Sequence, residues 1–259
     1  MRALATILLF CVLRSMNAQQ DLYGEPTILY SRQIYGGPNL NLNGFGGFLT
    51  YAKYRDAFRL RVYNLDINFV KHEKETKAWT PLNDPNARSY FYGKENNFYT
   101  IRTGIGNKKI FTEKLRKSGV QLSYLWQAGP VFGFTKPVYL EIIYTNEGQS
   151  RTYYLEVERF DADKHFVDNI YGRASGLRGL GELKFHPGIF AKFAFNFEYS
   201  NYKDGLKGIE TGLSADVFTQ RIPIMSPKIL KEDMSNPRNH QIFLSLYINF
   251  FFGKKYNKS

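Results

Sequence analysis

The chain reads as an all-β protein, an antiparallel up-and-down transmembrane β-barrel of about ten strands, within a range of eight to twelve. Three observations predict it. Apolar residues recur with a period of two along most of the 259 residues, amphipathic helical periodicity is nearly absent, and the N-terminus has the pattern of an export signal. The stretch G-I-F-A-K-F-A-F-N-F-E-Y-S at 188–200 is the clearest case. Ile189, Ala191, Phe193, Phe195, Phe197 and Tyr199 share one parity, while Lys192, Asn196, Glu198 and Ser200 share the other, with Phe190 and Ala194 as exceptions. A strand places the two sets on opposite faces.

The chain opens on Met1-Arg2, then an apolar run at 3–13, then Asn17-Ala18-Gln19. That run is shorter than the roughly 20 residues a membrane-spanning helix needs, so residues 1–18 are expected to be a cleaved signal peptide and 19–259 the barrel. The single cysteine, Cys11, lies in the leader and lacks the small residues that precede a lipidated cysteine. The mature chain must then be stable without disulfides, which closing a barrel allows.

Composition agrees. Hydrophobic residues make up 43% and aromatics 17%, which excludes disorder. Mean hydropathy is only −0.38, as expected where lipid-facing and lumen-facing residues cancel in an average. Formal charge is +12, or 12 − 2 = +10 without Arg2 and Arg14. The cations are scattered and match no nucleic-acid motif, so acidic lipid is their expected neighbour, and no nucleic-acid partner is expected.

Period-two segments follow in order at 27–35, 39–53, 57–70, 97–103, 119–128, 138–145, 152–160, 188–200, 207–220 and 241–252. Within 57–70 the apolar parity switches between Val62 and Tyr63, as at a bulge or where a strand passes between environments. From a periplasmic N-terminus, the long connections at 71–96, 161–182 and 221–239 fall outside, and the turns at 54–56, 146–150 and 201–206 fall inside. Short inner turns and long outer loops are the asymmetry of bacterial barrels. The basic connection at 104–118 fits that scheme least well.

Mid-strand charges give the second parity its meaning. Arg59, Arg61, Glu141, Lys192, Glu198, Glu210 and Asp216 are expected to line a narrow lumen as a paired ionic network, a plug with no open pore. A soluble β-sandwich would also alternate, but the bulky aromatic parity with Tyr-rich ends favours lipid.

Four segments, N-G-F-G at 43–46, Y-F-Y-G-K-E-N-N-F-Y at 90–99, K-P-V-Y-L-E at 136–141 and H-P-G at 186–188, resemble a Bacteroidetes outer-membrane β-barrel family of unassigned function. The resemblance implies an exported outer-membrane barrel and carries no activity onto particular residues. The chain ends in G-K-K-Y-N-K-S, where proteobacterial barrels commonly place a terminal aromatic.

Chemistry-bearing patterns are few. Asp161, Asp163, His165 and Asp168 form a candidate metal-ligand run on an outer loop, without the Gly and Glu of an EF-hand. Gly176, Gly179 and Gly181 lack the G-x-G-x-x-G spacing and read as loop glycines. Ser123, Ser214 and Ser245 fall on the lumen parity with no visible base, and no cofactor motif is present. Residues 90–99 read as an interfacial aromatic segment, or as a surface for a glycan or a partner. The expected function is non-enzymatic, a structural or accessory role in the envelope with outer-membrane lipid and another envelope protein as partners. The alternatives are a narrow channel for a small solute or ion and a lipid-modifying barrel enzyme.

Overall fold

The computed structural model describes residues 30–80, 82, 84–112, 119–146, 152–200, 204–232 and 239–257. The expected signal peptide, 1–18, lies outside the described residues. In chain order the strands are β1 (Arg32–Asn41), β2 (Gly44–Tyr54), β3 (Arg59–Val70), β4 (Lys77–Ala78), β5 (Tyr90–Phe91), β6 (Asn96–Thr112) and β7 (Gln121–Pro137). They continue with β8 (Tyr139–Asn146), β9 (Thr152–Arg159), β10 (Ile170–Arg173), β11 (Lys184–Glu198), β12 (Gly205–Phe218) and β13 (Ile242–Tyr256), with the short α-helix α1 (Pro227–Glu232) before β13.

Eight of these close into a barrel in the order β1-β2-β3-β6-β7-β11-β12-β13, each antiparallel to its neighbours, with β13 returning to β1. The expected ten becomes eight because 138–145 and 152–160 are β8 and β9, which join β10 in a separate three-stranded sheet. They alternate as barrel strands do, but are 8 residues long, against 10 to 17 for the barrel strands. The turn expected at 146–150 lies, beyond Asn146, outside the described residues, and the strands on either side of it both belong to this outer sheet. Two other strands are longer than expected. β6 runs on through Gly104 and Gly106, and β7 passes through Gly129-Pro130, where its ladder to β6 opens opposite Thr103 and Gly104.

The walk Arg32–Lys53–Arg61–Asn107–Trp126–Phe193–Leu213–Leu246 follows paired residues round the barrel. Arg32 also pairs with Tyr256, so the walk closes with a stagger of 256 − 246 = 10 residues. Eight strands with that shear tilt by about 40°, and their interior is just wide enough for side chains to fill. Connections 42–43, 71–95, 138–183 and 219–241 share one end, here the loop end. The start of β1, the end of β13, the turn 55–58, the end of β11 and the start of β12 share the other, here the terminal end.

Alternation is strict on the wall. Ile189 is 67% exposed and Lys192 only 5%. Phe190 and Ala194, the exceptions in 188–200, both point inward. The parity switch in β3 involves no bulge, since its pairing to β2 and β6 is continuous. Leu60 and Val62 face an apolar level of the interior, while Tyr63, Leu65 and Ile67 face outward above the cationic rim formed by Arg59 and Arg61.

Candidate functional site

The interior is layered. At the loop end Phe98, Phe190, Phe218 and Phe243 pack with Ile222, Ile224 and Met225, which the β12–β13 connection lowers into the mouth. Towards the termini Leu60, Val62, Ile110 and Leu125 form a second apolar level, and Tyr35, Phe48, Leu206 and Phe251 a third cluster. Between these lie the charges.

Lys192 Nζ is 3.4 Å from Asp66 Oδ2 and 3.7 Å from Glu210 Oε1. Glu210 also accepts hydrogen bonds from Tyr247 (2.9 Å), Asn249 (3.1 Å) and Asn196 (3.1 Å). Asn64 donates to Asp66 at 2.6 Å, and Arg102 pairs with Asp216. Lys255 reaches Glu198 at 2.7 Å, and Lys108 Nζ sits 5.2 Å from the Tyr35 ring centroid. Arg102, Lys192 and Lys255 thus pair with Asp216, Asp66, Glu210 and Glu198, and Lys108, set against the rings of Tyr35 and Phe251, brings the formal interior charge to zero. Paired, hydrogen-bonded charges are tolerable in such a place, where single ones are not.

Lys192, Glu198, Glu210 and Asp216 therefore lie inside, as their parity predicts. Three other expected lumen residues do not. Arg59 and Arg61 occupy the outward parity of β3 near the terminal end, where Arg59 lies 3.9 Å from Asp56 and Arg61 donates to Asn107. Glu141 belongs to β8, outside the barrel. Asp66, Arg102 and Lys108 complete the interior set. Asp66 was legible from its mid-strand position, but Arg102 and Lys108 fall where glycines blur the alternation of β6.

The metal candidates do not converge. His165 is buried, accepts the Asp161 amide on Nδ1 at 3.0 Å and so donates from Nε2 to Glu158 at 3.2 Å. Asp161 accepts the Asp163 amide, Asp163 pairs with Lys228 of α1, and Asp168 is exposed. Among the described residues no three His, Cys, Asp or Glu side chains are placed to hold a metal ion. Ser123, Ser214 and Ser245 are buried on the lumen side of the wall, and Ser245 accepts from Asn43 at 2.7 Å.

Outside, charge and apolarity separate by height. Every carboxylate on the barrel strands, among the described residues, is one of the four inside. The outward charges on the barrel strands near the terminal end, among the described residues, are all cations, including Lys53, Arg61, Lys109, Lys207 and Lys254. Above them the wall is apolar, and near the loop end one register row is aromatic: Phe45, Phe69, Tyr99, Phe134, Phe185. Its rings touch, with centroids 5.6 Å apart for Phe45–Phe69 and 5.3 Å for Phe69–Tyr99.

Directly over this row is a cavity of about 550 Å³, with walls from residues 71, 77, 88–91, 94, 97, 136–140, 173–176 and 178. Its floor includes Phe45, Phe69 and Tyr99, and seven of its lining residues are Lys or Arg, with no carboxylate. Two of those cations are structural. Lys94 is buried and pairs with Glu75 at 2.7 Å between the rings of Phe69 and Phe91. Burial draws its ammonium pKa down from the ordinary value, with Glu75 opposing. Lys136 is buried too, and its Nζ donates to the carbonyls of Gly176 and Arg178, fixing that loop. Tyr90, expected in an interfacial segment, is instead in the core of the outer sheet with Leu140, Ile142 and Ile170. Tyr99 does stand in the outward aromatic row.

No protein-family model and no curated protein matches this chain. Among solved structures it is similar to Ail, the attachment invasion locus protein of Yersinia pestis, at 7% identity, over 88% of this chain and 100% of that one, with a TM-score of 0.40. It is similar also to the outer membrane protein OprG of Pseudomonas aeruginosa, at 10% identity, over 88% of this chain and 97% of that one, with a TM-score of 0.34. Neither likeness bears on what this chain does.

Proposed function

We propose that this chain is a small outer-membrane β-barrel, exported through a cleaved leader, which is non-enzymatic and acts in the envelope through its outer surface and its loop end. The observation that carries this reading is the filled interior. A neutral ionic layer packed between apolar levels supports a sealed interior, with Ile222, Ile224 and Met225 buried at the mouth. The membrane part rests on the outward wall. From Tyr124 to Phe134 the outward residues of β7 span 134 − 124 = 10 steps, about 25 Å of height at that tilt, the usual height of a lipid-facing band. The resemblance to Bacteroidetes barrels supports the same assignment, with outer-membrane lipid and another envelope protein as the partners.

Two measurements on the refolded protein test it. The expected results are a folded gel band that shifts on boiling, and no steady conductance in planar bilayers. Solubility without detergent would refute membrane residence. A stable unitary conductance would replace the sealed barrel with a narrow channel.

A further inference from the structure

We propose that the cavity above the aromatic row binds a lipid whose headgroup carries more than one phosphate. Of its seven cations, Lys71, Lys77, Arg88, Arg173 and Arg178 are exposed, and none of the five forms an ion pair among the described residues. Five unpaired cations facing one space repel each other, so the arrangement is complementary to concentrated negative charge. One phosphate monoester carries at most about two negative charges at neutral pH, which leaves most of the site unmatched. A headgroup with two phosphates fits better, and guanidinium groups such as Arg88, Arg173 and Arg178 can grip phosphate oxygens in pairs.

The floor decides between a lipid and a soluble anion. A free anion has no use for Phe45, Phe69 and Tyr99, whereas a lipid lays its acyl chains down this outward wall with its headgroup at the height of the cations. Lys71 marks the boundary, its Nζ 5.7 Å from the centroid of the Phe45 ring. The walls are held in place independently of any ligand. Lys136 fixes the carbonyls of Gly176 and Arg178, the Glu75–Lys94 pair fixes the segment between β4 and β6, and the Arg173 amide bonds to the Arg88 carbonyl at 3.4 Å. A cavity of this volume is within the range of small-ligand sites.

This inference rests on the membrane reading above, and the experiment keeps the two apart. The full protein is folded in non-ionic maltoside micelles and titrated with a diphosphorylated, acylated glucosamine disaccharide, with the same lipid lacking its phosphates, and with inorganic phosphate. The variants are R88Q/R173Q/R178Q, the single K77Q, and R59Q/K109Q at the opposite end. The expected result is stoichiometric binding of the diphosphorylated lipid, weakened about tenfold or more by loss of its phosphates or by the triple variant, as for multiple charge-assisted contacts. K77Q should weaken it less, and R59Q/K109Q should leave it unchanged. Equal binding of both lipids, or equal loss in R59Q/K109Q, would overturn the site. Displacement by millimolar phosphate would make the ligand a free anion. Should the triple variant not fold, an unchanged affinity in K77Q would count against the site. Gel migration on boiling reports the barrel in every sample, so a lost site in an intact barrel leaves the membrane reading standing.

Discussion

Lys192 on β11 and Asp66 on β3 meet across the interior at 3.4 Å, although β6 and β7 separate their strands in the wall. Arg102 on β6 and Asp216 on β12 make a second such strut across β7 and β11. Contacts of this kind do what adjacent-strand hydrogen bonds cannot, since they tie opposite walls and fill the space through which ions would pass.

Lys192→Met should therefore be costly. It leaves Asp66 and Glu210 buried with a single cation lost between them, and breaking a buried pair from one side typically costs about 3–5 kcal/mol. The expected outcome is a clearly lower urea midpoint for unfolding in detergent. K192M/D66N, which removes one charge of each sign, should recover part of the loss. A single variant as stable as the parent would mean that the ionic layer is not a structural element.

Packing at the loop-end level is set by two glycines. A Cβ at Gly104 would lie 2.6 Å from Phe190 Cζ, and one at Gly133 would lie 2.8 Å from Phe98 Cε2 and 2.9 Å from Phe218 Cε1. Gly104→Ala should destabilise by about 1–3 kcal/mol through overpacking. Combining it with Phe190→Leu should cost less than the two single losses added, because the smaller side chain makes room. Simple additivity in a double-mutant cycle would contradict this contact.

The outer sheet offers a pH readout away from the membrane. Tyr144 donates to Glu158 at 2.6 Å, and that bond, with burial and the carboxylate charge assisting, pushes its phenol up to about 12. Tyr171 is likewise pushed up to about 12, first by its bond to Asp84. A phenol with a raised folded pKa contributes stability that is complete below its ordinary value of 10.0 and lost as pH climbs through about 12. Glu158 has the opposite sign. The Tyr144 bond lowers its pKa first, against desolvation, so its contribution is present above the ordinary carboxylate range and lost as pH falls through the lowered value. Ultraviolet difference titration should place both among the late tyrosines, and Glu158→Gln should move Tyr144 back towards 10, leaving the late group one smaller. An unchanged number of late phenols in that variant would break the assignment.

How much of this was readable beforehand follows from what period two encodes. It separates two faces of a strand, so the outward Phe193, Phe195 and Phe197 and the inward Lys192 and Glu198 were legible in 188–200 alone. It does not say which sheet a strand joins, and so β8 and β9, with Glu141, carry the same signal as strands of the wall. Nor does it give height. Arg59 and Arg61 alternate like lumen residues because a rim in contact with water and headgroups accepts charge as readily as a paired interior does. The cavity cations were invisible for a third reason: Lys77 and Arg88 come from the 71–95 connection and Arg173 and Arg178 from the 138–183 connection, which only the closed barrel and its outer sheet bring to one place.

The medium outside the wall is tested most directly at Ala191. It lies at the centre of the outward run of β11 from Phe185 to Phe197, and its small side chain forfeits almost nothing when replaced. In water, Ala191→Arg would be nearly neutral. At a bilayer midplane the same change costs about 2–4 kcal/mol, falling to about 0–1 near an interface. Tyr199→Arg, one residue past the end of β11 on the same parity, serves as the interface comparison. Reversible urea unfolding in lipid vesicles should place Ala191→Arg well below the parent and Tyr199→Arg close to it. Equal effects at the two positions would remove the lipid-facing belt, and with it the reason for setting a lipid against Phe45, Phe69 and Tyr99.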